Sequence, residues 1–237
     1  MLANMSLSDT IFDFLATVTD NENIAREPSS FAQAITSLYL GNPVPEIFQF
    51  SLDDKATADV ISNLKNILKT NCPDKLKSLN PPLTYLFDEL ICNIQQHAQT
   101  DKGYAYLNYN ESTRYVEIIV ADCGITVYGS YVAMQKHLDK LGDSDANALN
   151  LAQNGYSVKN LPDTENRGYG ISSNIKIVVN GLKGEFSVLS GNALMMHNPG
   201  KNIILSLPKE IDFKGTMIMV TFPSEVPTDF DIYKYTS

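Results

Sequence analysis

Leu83-Thr84-Tyr85-Leu86-Phe87-Asp88-Glu89-Leu90-Ile91-Cys92-Asn93-Ile94-Gln95-Gln96-His97-Ala98 is the stretch on which the reading of this chain turns. Leu83, Leu86, Phe87, Leu90, Ile91 and Ile94 recur at spacings that place them on one face of a helix. Glu89, Asn93 and His97 follow one another at intervals of four and form a polar stripe along the edge of that face. Such a stripe borders the core without being buried in it. A Glu there can accept a proton from an attacking water or hydroxyl, and an Asn carbonyl can join phosphate oxygens and waters around Mg²⁺, which seldom needs many protein ligands. Taken alone, the stripe reads at least as well as the solvated edge of an amphipathic helix.

On the N-terminal side, Asn80-Pro81-Pro82 marks a change of character, and the helix is expected to start after it, at about Leu83. The preceding residues read as helix, helix, strand, helix. Ser8-Asp9 and Ser29-Ser30 can cap two apolar-periodic segments through residues 11–18 and 31–38, Glu46 to Leu52 alternates like a strand, and Ala56 to Leu68 has helical spacing. The expected organisation is a mostly helical N-terminal extension over residues 1–75, part of which could complete the main unit, and a domain over residues 76–237.

On the C-terminal side, Gly103 to Asn108 and Tyr115 to Val120 read as strands. A polar, Asn- and Gly-rich region follows from Tyr128 to Arg167, helical-looking around Val132 to Leu141. Then come a helix from Ile171 to Asn180 and strands at Gly184 to Ser190, Asn202 to Leu207 and Thr216 to Phe222. A two-layer α/β sandwich in the α+β class, a mixed sheet backed on one face by helices, is the economical way to bury this pattern.

Three further motifs lie on these elements. The strand Val116 to Val120 runs into Ala121-Asp122-Cys123-Gly124, where an ionised Asp can accept a hydrogen bond from an amino group and glycine lets backbone come close to a flat ligand. Asn166-Arg167-Gly168-Tyr169-Gly170-Ile171-Ser172 puts Gly-x-Gly at the mouth of a helix, where free N–H groups can hold phosphates. Lys214-Gly215-Thr216 opens an apolar strand, and the Thr hydroxyl could reach a base directly or through water. Each alone is also an ordinary turn. Neither the P-loop nor the dinucleotide-binding glycine pattern is present.

In order, Glu-x3-Asn on a helix, Asp-x-Gly after a strand, a polar stretch, Gly-x-Gly before a helix and Gly-Thr before a strand resemble the N, G1, G2 and GT boxes of the GHKL ATPases. That superfamily holds the gyrase, histidine-kinase, mismatch-repair and heat-shock-chaperone ATPases and the anti-sigma-factor serine kinases. The resemblance covers about residues 80–225 and implies a Bergerat-type sandwich binding ATP with Mg²⁺. It implies Glu89 as general base, Asn93 as the Mg²⁺ ligand, Asp122 as the adenine-reading carboxylate with Thr216 in support, and Gly124 under the base. Gly168, Tyr169 and Gly170 would form the phosphate-binding turn. Residues 128–167 would be the lid over the triphosphate. Within it, Gly155-Tyr156-Ser157-Val158-Lys159 looks like the Gly-x-Ser-Thr-Lys segment of some members, so Lys159, like Arg167, could reach a phosphate or be a solvated loop cation. The pattern departs from the family at Thr126, where the second G1 glycine is expected.

Composition narrows the function. Asp plus Glu number 27 against 18 Lys plus Arg, a net charge of −9 that opposes unaided contact with nucleic acid or an anionic membrane. Cys72, Cys92 and Cys123 lack C-x-x-C spacing, as expected of free thiols in a reducing compartment, and neither a signal peptide nor a membrane span is indicated; a cytoplasmic protein is expected. The histidines, His97, His137 and His197, all fall within or after the motif region, so no upstream phosphoacceptor His is expected, and with about fifteen residues after Phe222 no transducer domain is expected either. The resemblance is therefore greatest to stand-alone anti-sigma-type serine kinases. The expected function is an Mg·ATP-binding regulatory protein, an ATPase or Ser/Thr protein kinase acting on a protein partner. The alternative is a nucleotide-gated binding module with little or no catalysis. Residues 1–70 could mediate a homodimer or cap one end of the sheet.

Overall fold

The computed structural model describes residues 47–158, 170–208 and 210–235. The helical segments expected at 8–18 and 31–38 lie outside these residues. The described chain runs β1 (Ile47–Ser51), α1 (Asp54–Asn71), α2 (Leu76–His97), β2 (Lys102–Asn110) and β3 (Tyr115–Asp122). Three short helices follow, α3 (Val127–Ala133), α4 (Leu138–Leu141) and α5 (Asp145–Gln153). Next are α6 (Ile171–Ile175), a wide π turn over Lys176–Gly181, β4 (Glu185–Gly191), β5 (Ala193–Asn198), β6 (Lys201–Ser206) and β7 (Phe213–Pro223). The architecture is α+β, with β1 and α1 belonging to the same sheet and core as the rest.

The seven strands form one sheet in the order β1-β2-β3-β7-β4-β5-β6, and every pairing is antiparallel. The expected mixed sheet is corrected on this point. The crossover through residues 127–181 carries β3 and β4 in the same direction, but β7 lies between them and runs against both, so no parallel neighbours arise.

The helices pack on one face of the sheet. Val60, Leu64 and Leu68 of α1 and Leu79 through Ile94 of α2 meet Val116, Ile118 and Val120 of β3, Phe186 and Val188 of β4 and Ile218 and Val220 of β7. Leu64, Leu83, Leu86 and Leu90 are fully buried, each worth about 1.5–3 kcal/mol of apolar burial. Asp53 starts α1 by accepting the Ala56 N–H at 2.9 Å. The opposite face carries a second apolar cluster, including Tyr106, Leu189, Leu194, Met217 and Met219, to which none of the described helices contributes.

Three other elements differ from the sequence reading. β5 has no alternating pattern to announce it, because Ala193 and Met195 enter one cluster while Leu194 and Met196 enter the other. The expected helical piece at 132–141 is divided between α3 and α4, with Gln135 and His137 at positive φ between them, and α5 follows as a separate helix. The helix also begins at Leu76 and passes through Pro81 and Pro82 instead of starting after them. The prolines withdraw the donors that would bond the carbonyls of Lys77 and Ser78, and both of those residues are exposed, where water can take the missing place.

The exposed Pro81 therefore costs stability that a substitution can recover. Pro81→Ala restores an N–H to the helix, offsetting an interior penalty of about 3 kcal/mol, while the freer unfolded chain takes back about 0.4–1 kcal/mol. The expected net gain is about 2–2.6 kcal/mol in urea unfolding. A lowered midpoint would place Pro81 at a helix start rather than inside one.

Candidate functional site

The inward-facing residues of three adjacent central strands follow one pattern. Val116, Ile118 and Val120 on β3, Ile218 and Val220 on β7, and Phe186 and Val188 on β4 are core residues, and at one end of the sheet each series gives way to a polar residue on the same face: Asp122, Thr216 and Ser190. A cavity of about 120 Å³ opens there, walled by Asn93, Ile94 and His97 of α2, Val120 and Asp122 of β3, and Thr216 and Ile218 of β7. Its other side is formed by Ser130 and Tyr131 of α3, Gly155 to Val158, and Gly170, Ile171 and Ser172. At about 120 Å³ the cavity is somewhat smaller than the roughly 150 Å³ that admits benzene, so a flat ring and the rest of a larger ligand would also occupy the open mouth.

Asp122 is 2% exposed. Its Oδ1 accepts the Gly124 N–H at 2.9 Å, and the Thr216 N–H also donates to the carboxylate. Burial outweighs these two donors and pushes the carboxyl up to about 7. Two glycines make the arrangement geometrically feasible. A Cβ on Gly124 would lie 1.7 Å from the Ala98 carbonyl oxygen, so the close approach it permits is to the end of α2. A Cβ on Gly215, at φ +115°, would lie 2.2 Å from the Asp122 carbonyl oxygen. Ser190 pairs with Thr216 and Gly191 with Phe213, which leaves Lys214 and Gly215 as extra residues in β7. This bulge presses β7 onto the end of β3 and aims Thr216 into the cavity.

Ser190 joins the walls. Its hydroxyl donates to the Gly215 carbonyl at 2.9 Å, accepts the Val127 N–H at 2.9 Å and lies 3.2 Å from Thr216 Oγ1. Thr126 has φ −71°, which any residue adopts, and its side chain accepts the Gly129 N–H at 3.0 Å to cap α3. The glycine expected at this position has no conformational work to do here.

The outer wall has its own small core of Tyr131, Leu141, Ala148, Leu151 and Val158. The Tyr131 hydroxyl donates to the Tyr156 carbonyl, and His137 Nε2 lies 3.1 Å from the Ser157 carbonyl, which fixes residues 156–157 at the cavity edge. Lys140 Nζ sits 4.4 Å from the centre of the Tyr156 ring.

Of the residues singled out in the sequence, Asn93, His97, Asp122, Gly170 and Thr216 meet at the cavity. Asn93 presents a buried side-chain amide nitrogen with no hydrogen-bond partner. Glu89 stands one helical turn from Asn93 and is not part of the lining, and Gly124 acts behind Asp122. Lys159, Arg167, Gly168 and Tyr169 lie outside the described residues. Ser190, Gly215, Tyr131 and Tyr156 were not signalled as site residues, although Gly215 stands in the Gly-Thr pair. Among the described residues, no group of three or more His, Cys, Asp or Glu side chains is placed to hold a metal ion, and no helix is long and apolar enough to cross a membrane. No protein-family model, curated protein or solved structure matches the chain.

The raised carboxyl of Asp122 has a consequence for stability. Because its folded value of about 7 exceeds the ordinary 3.8, the native state holds this proton more tightly than the unfolded chain, and stability falls as pH rises from about 4 to about 7. Relative to Asp122→Ala, the wild-type chain should lose up to about 1.4 kcal/mol per pH unit in that window and level off above it, as read by urea unfolding. A difference independent of pH would show that Asp122 ionises as freely in the fold as outside it.

Proposed function

We propose that the chain is a regulatory protein that binds Mg·ATP in a Bergerat-type sandwich, the α+β fold described above serving as its scaffold. The observation that carries this reading is the convergence on one cavity of Asn93, Asp122, Gly170 and Thr216, drawn from four motifs that are far apart in the sequence but follow the GHKL order. Asp122 would read the exocyclic amine of adenine, with Thr216 beside it. Gly170, at the start of α6, would face the phosphates together with Gly168 and Tyr169. Asn93 suits Mg²⁺ because its amide already has one buried, unpartnered end, and which end carries oxygen is a matter of a half-turn. Bound there, Mg²⁺ would neutralise phosphate charge; one or two protein ligands suffice, the rest being phosphate oxygens and water.

Glu89 would take the proton of a water or of a partner's Ser/Thr hydroxyl during phosphoryl transfer, which makes the protein an ATPase or protein kinase. The second reading, a nucleotide-gated module that exposes a surface to a protein partner without chemistry, draws support from Glu89 standing off the cavity lining. A protein partner, action in the cytoplasm and no direct contact with nucleic acid belong to both readings, the last supported by the net charge of −9.

Thermal unfolding tests the common part. Mg·ATP at a hundredfold excess over Kd should stabilise the protein by about 2.7 kcal/mol, and Asp122→Ala should lose the shift. No shift at millimolar nucleotide would refute the reading. Glu89→Ala separates the two versions: under the first it abolishes phosphoryl transfer from radiolabelled ATP, whereas under the second it leaves ATP-dependent partner binding unchanged.

A further inference from the structure

Ser190 closes the inward-facing series of β4, is 1% exposed, and makes three hydrogen bonds with one hydroxyl. A serine hydroxyl offers one proton and two lone pairs. The proton goes to the Gly215 carbonyl at 2.9 Å, because a carbonyl can only accept. One lone pair is taken by the Val127 N–H at 2.9 Å. The remaining contact, 3.2 Å to Thr216 Oγ1, can then be made in one way only: Thr216 donates and Ser190 accepts. Thr216 thus turns its proton away from the cavity and shows it lone pairs. Beside it the ionised Asp122 carboxylate is an acceptor as well, two backbone N–H groups already donating to it.

We propose that Ser190 is a positioning residue for specificity: by fixing the direction of the Thr216 hydroxyl it makes the polar end of the cavity accept hydrogen bonds only, and so selects ligands that present an amino group there. The inference rests on the nucleotide reading above and sharpens it to a choice of base class. At the position of the exocyclic group a 6-aminopurine offers this end a donor, while a 6-oxopurine sets a carbonyl oxygen against two acceptors and leaves that carbonyl without a donor.

The test is calorimetric Kd measurement for Mg·ATP and Mg·ITP at a pH above about 8, where Asp122 is ionised. In Ser190→Ala the Thr216 proton is free to swing into the cavity and meet the 6-oxo group, so the preference for ATP over ITP should shrink roughly tenfold, the worth of about one hydrogen bond. In a Thr216→Val background there is no proton to redirect, and adding Ser190→Ala should leave the preference unchanged. An unaltered preference in Ser190→Ala, with ATP still bound, overturns the inference while sparing the nucleotide reading; so does a Ser190→Ala effect that persists beside Thr216→Val. If Ser190→Ala does not fold, Thr216→Val decides alone. Removing an acceptor should strengthen ITP relative to ATP, and a relative weakening would show that Thr216 donates into the cavity. Failure of the wild-type protein to bind either nucleotide overturns the inference together with the reading beneath it.

Discussion

The rest of the site depends on a carboxyl group buried at the end of a central strand. Asp122 has left water almost completely, and a buried carboxylate is tolerable only where N–H groups meet it. Gly124 and Thr216 supply those groups, from the loop that follows β3 and from the neighbouring strand β7. Each must come closer than a side chain at the contact would allow. Gly124 meets the last carbonyl of the α2 region, and Gly215 meets the carbonyl of Asp122 itself. Two glycines and one aspartate thus tie α2, β3 and β7 into one corner, and the cavity is the space that this corner leaves.

The same corner explains why the sheet is irregular where it is. A regular β7 would continue its pairing with β4 past Thr216, and the residue after Ser190 would face Gly215. The bulge of Lys214 and Gly215 breaks that register and leaves the Gly215 carbonyl without a ladder partner on β4, which the Ser190 hydroxyl replaces. Through its bond to the Val127 N–H, the same hydroxyl fixes the start of α3, whose residues Ser130 and Tyr131 form the facing wall. One buried serine therefore bonds to both sides of the cavity, to Gly215 and Thr216 on β7 and to the start of α3.

How much of this could be read from the sequence follows from how local each signal is. The α2 face, the strands β2, β3, β4, β6 and β7, and the polar ends at Asp122 and Thr216 are legible because an apolar period stops at a polar residue within a few positions. β5 is not, because a strand buried on both faces loses its alternation, as Leu194, Met195 and Met196 do. Pro81 and Pro82 mislead because proline argues against a helix interior, yet exposed carbonyls before them let α2 run through. Ser190 is invisible for a different reason. A serine ending a strand is common, and its significance comes from Gly215 and Val127, both remote in sequence, which only the sheet order β3-β7-β4 brings to it. Thr126, read as a departure from the G1 pattern, proves to be a helix cap with ordinary backbone angles.

The position of Glu89 bears on how a ligand would lie. Asn93, Ile94 and His97 reach the cavity, and Glu89 is about 6 Å away along the helix axis from Asn93, toward the start of α2. A ligand whose base sits at Asp122 and Thr216 must therefore extend along α2 past Asn93 before any reacting atom comes within reach of Glu89. A nucleoside alone would end short of it. A triphosphate has the length and, with Asn93 and Gly170 on either side, a path. On the proposed reading, recognition and chemistry are separated along a single helix: the β3–β7 corner chooses the base, Asn93 meets the phosphates, and Glu89 acts only on a nucleotide long enough to arrive. On that reading Glu89 can stand beyond the cavity lining, one turn further along α2 than Asn93, and still act in the reaction.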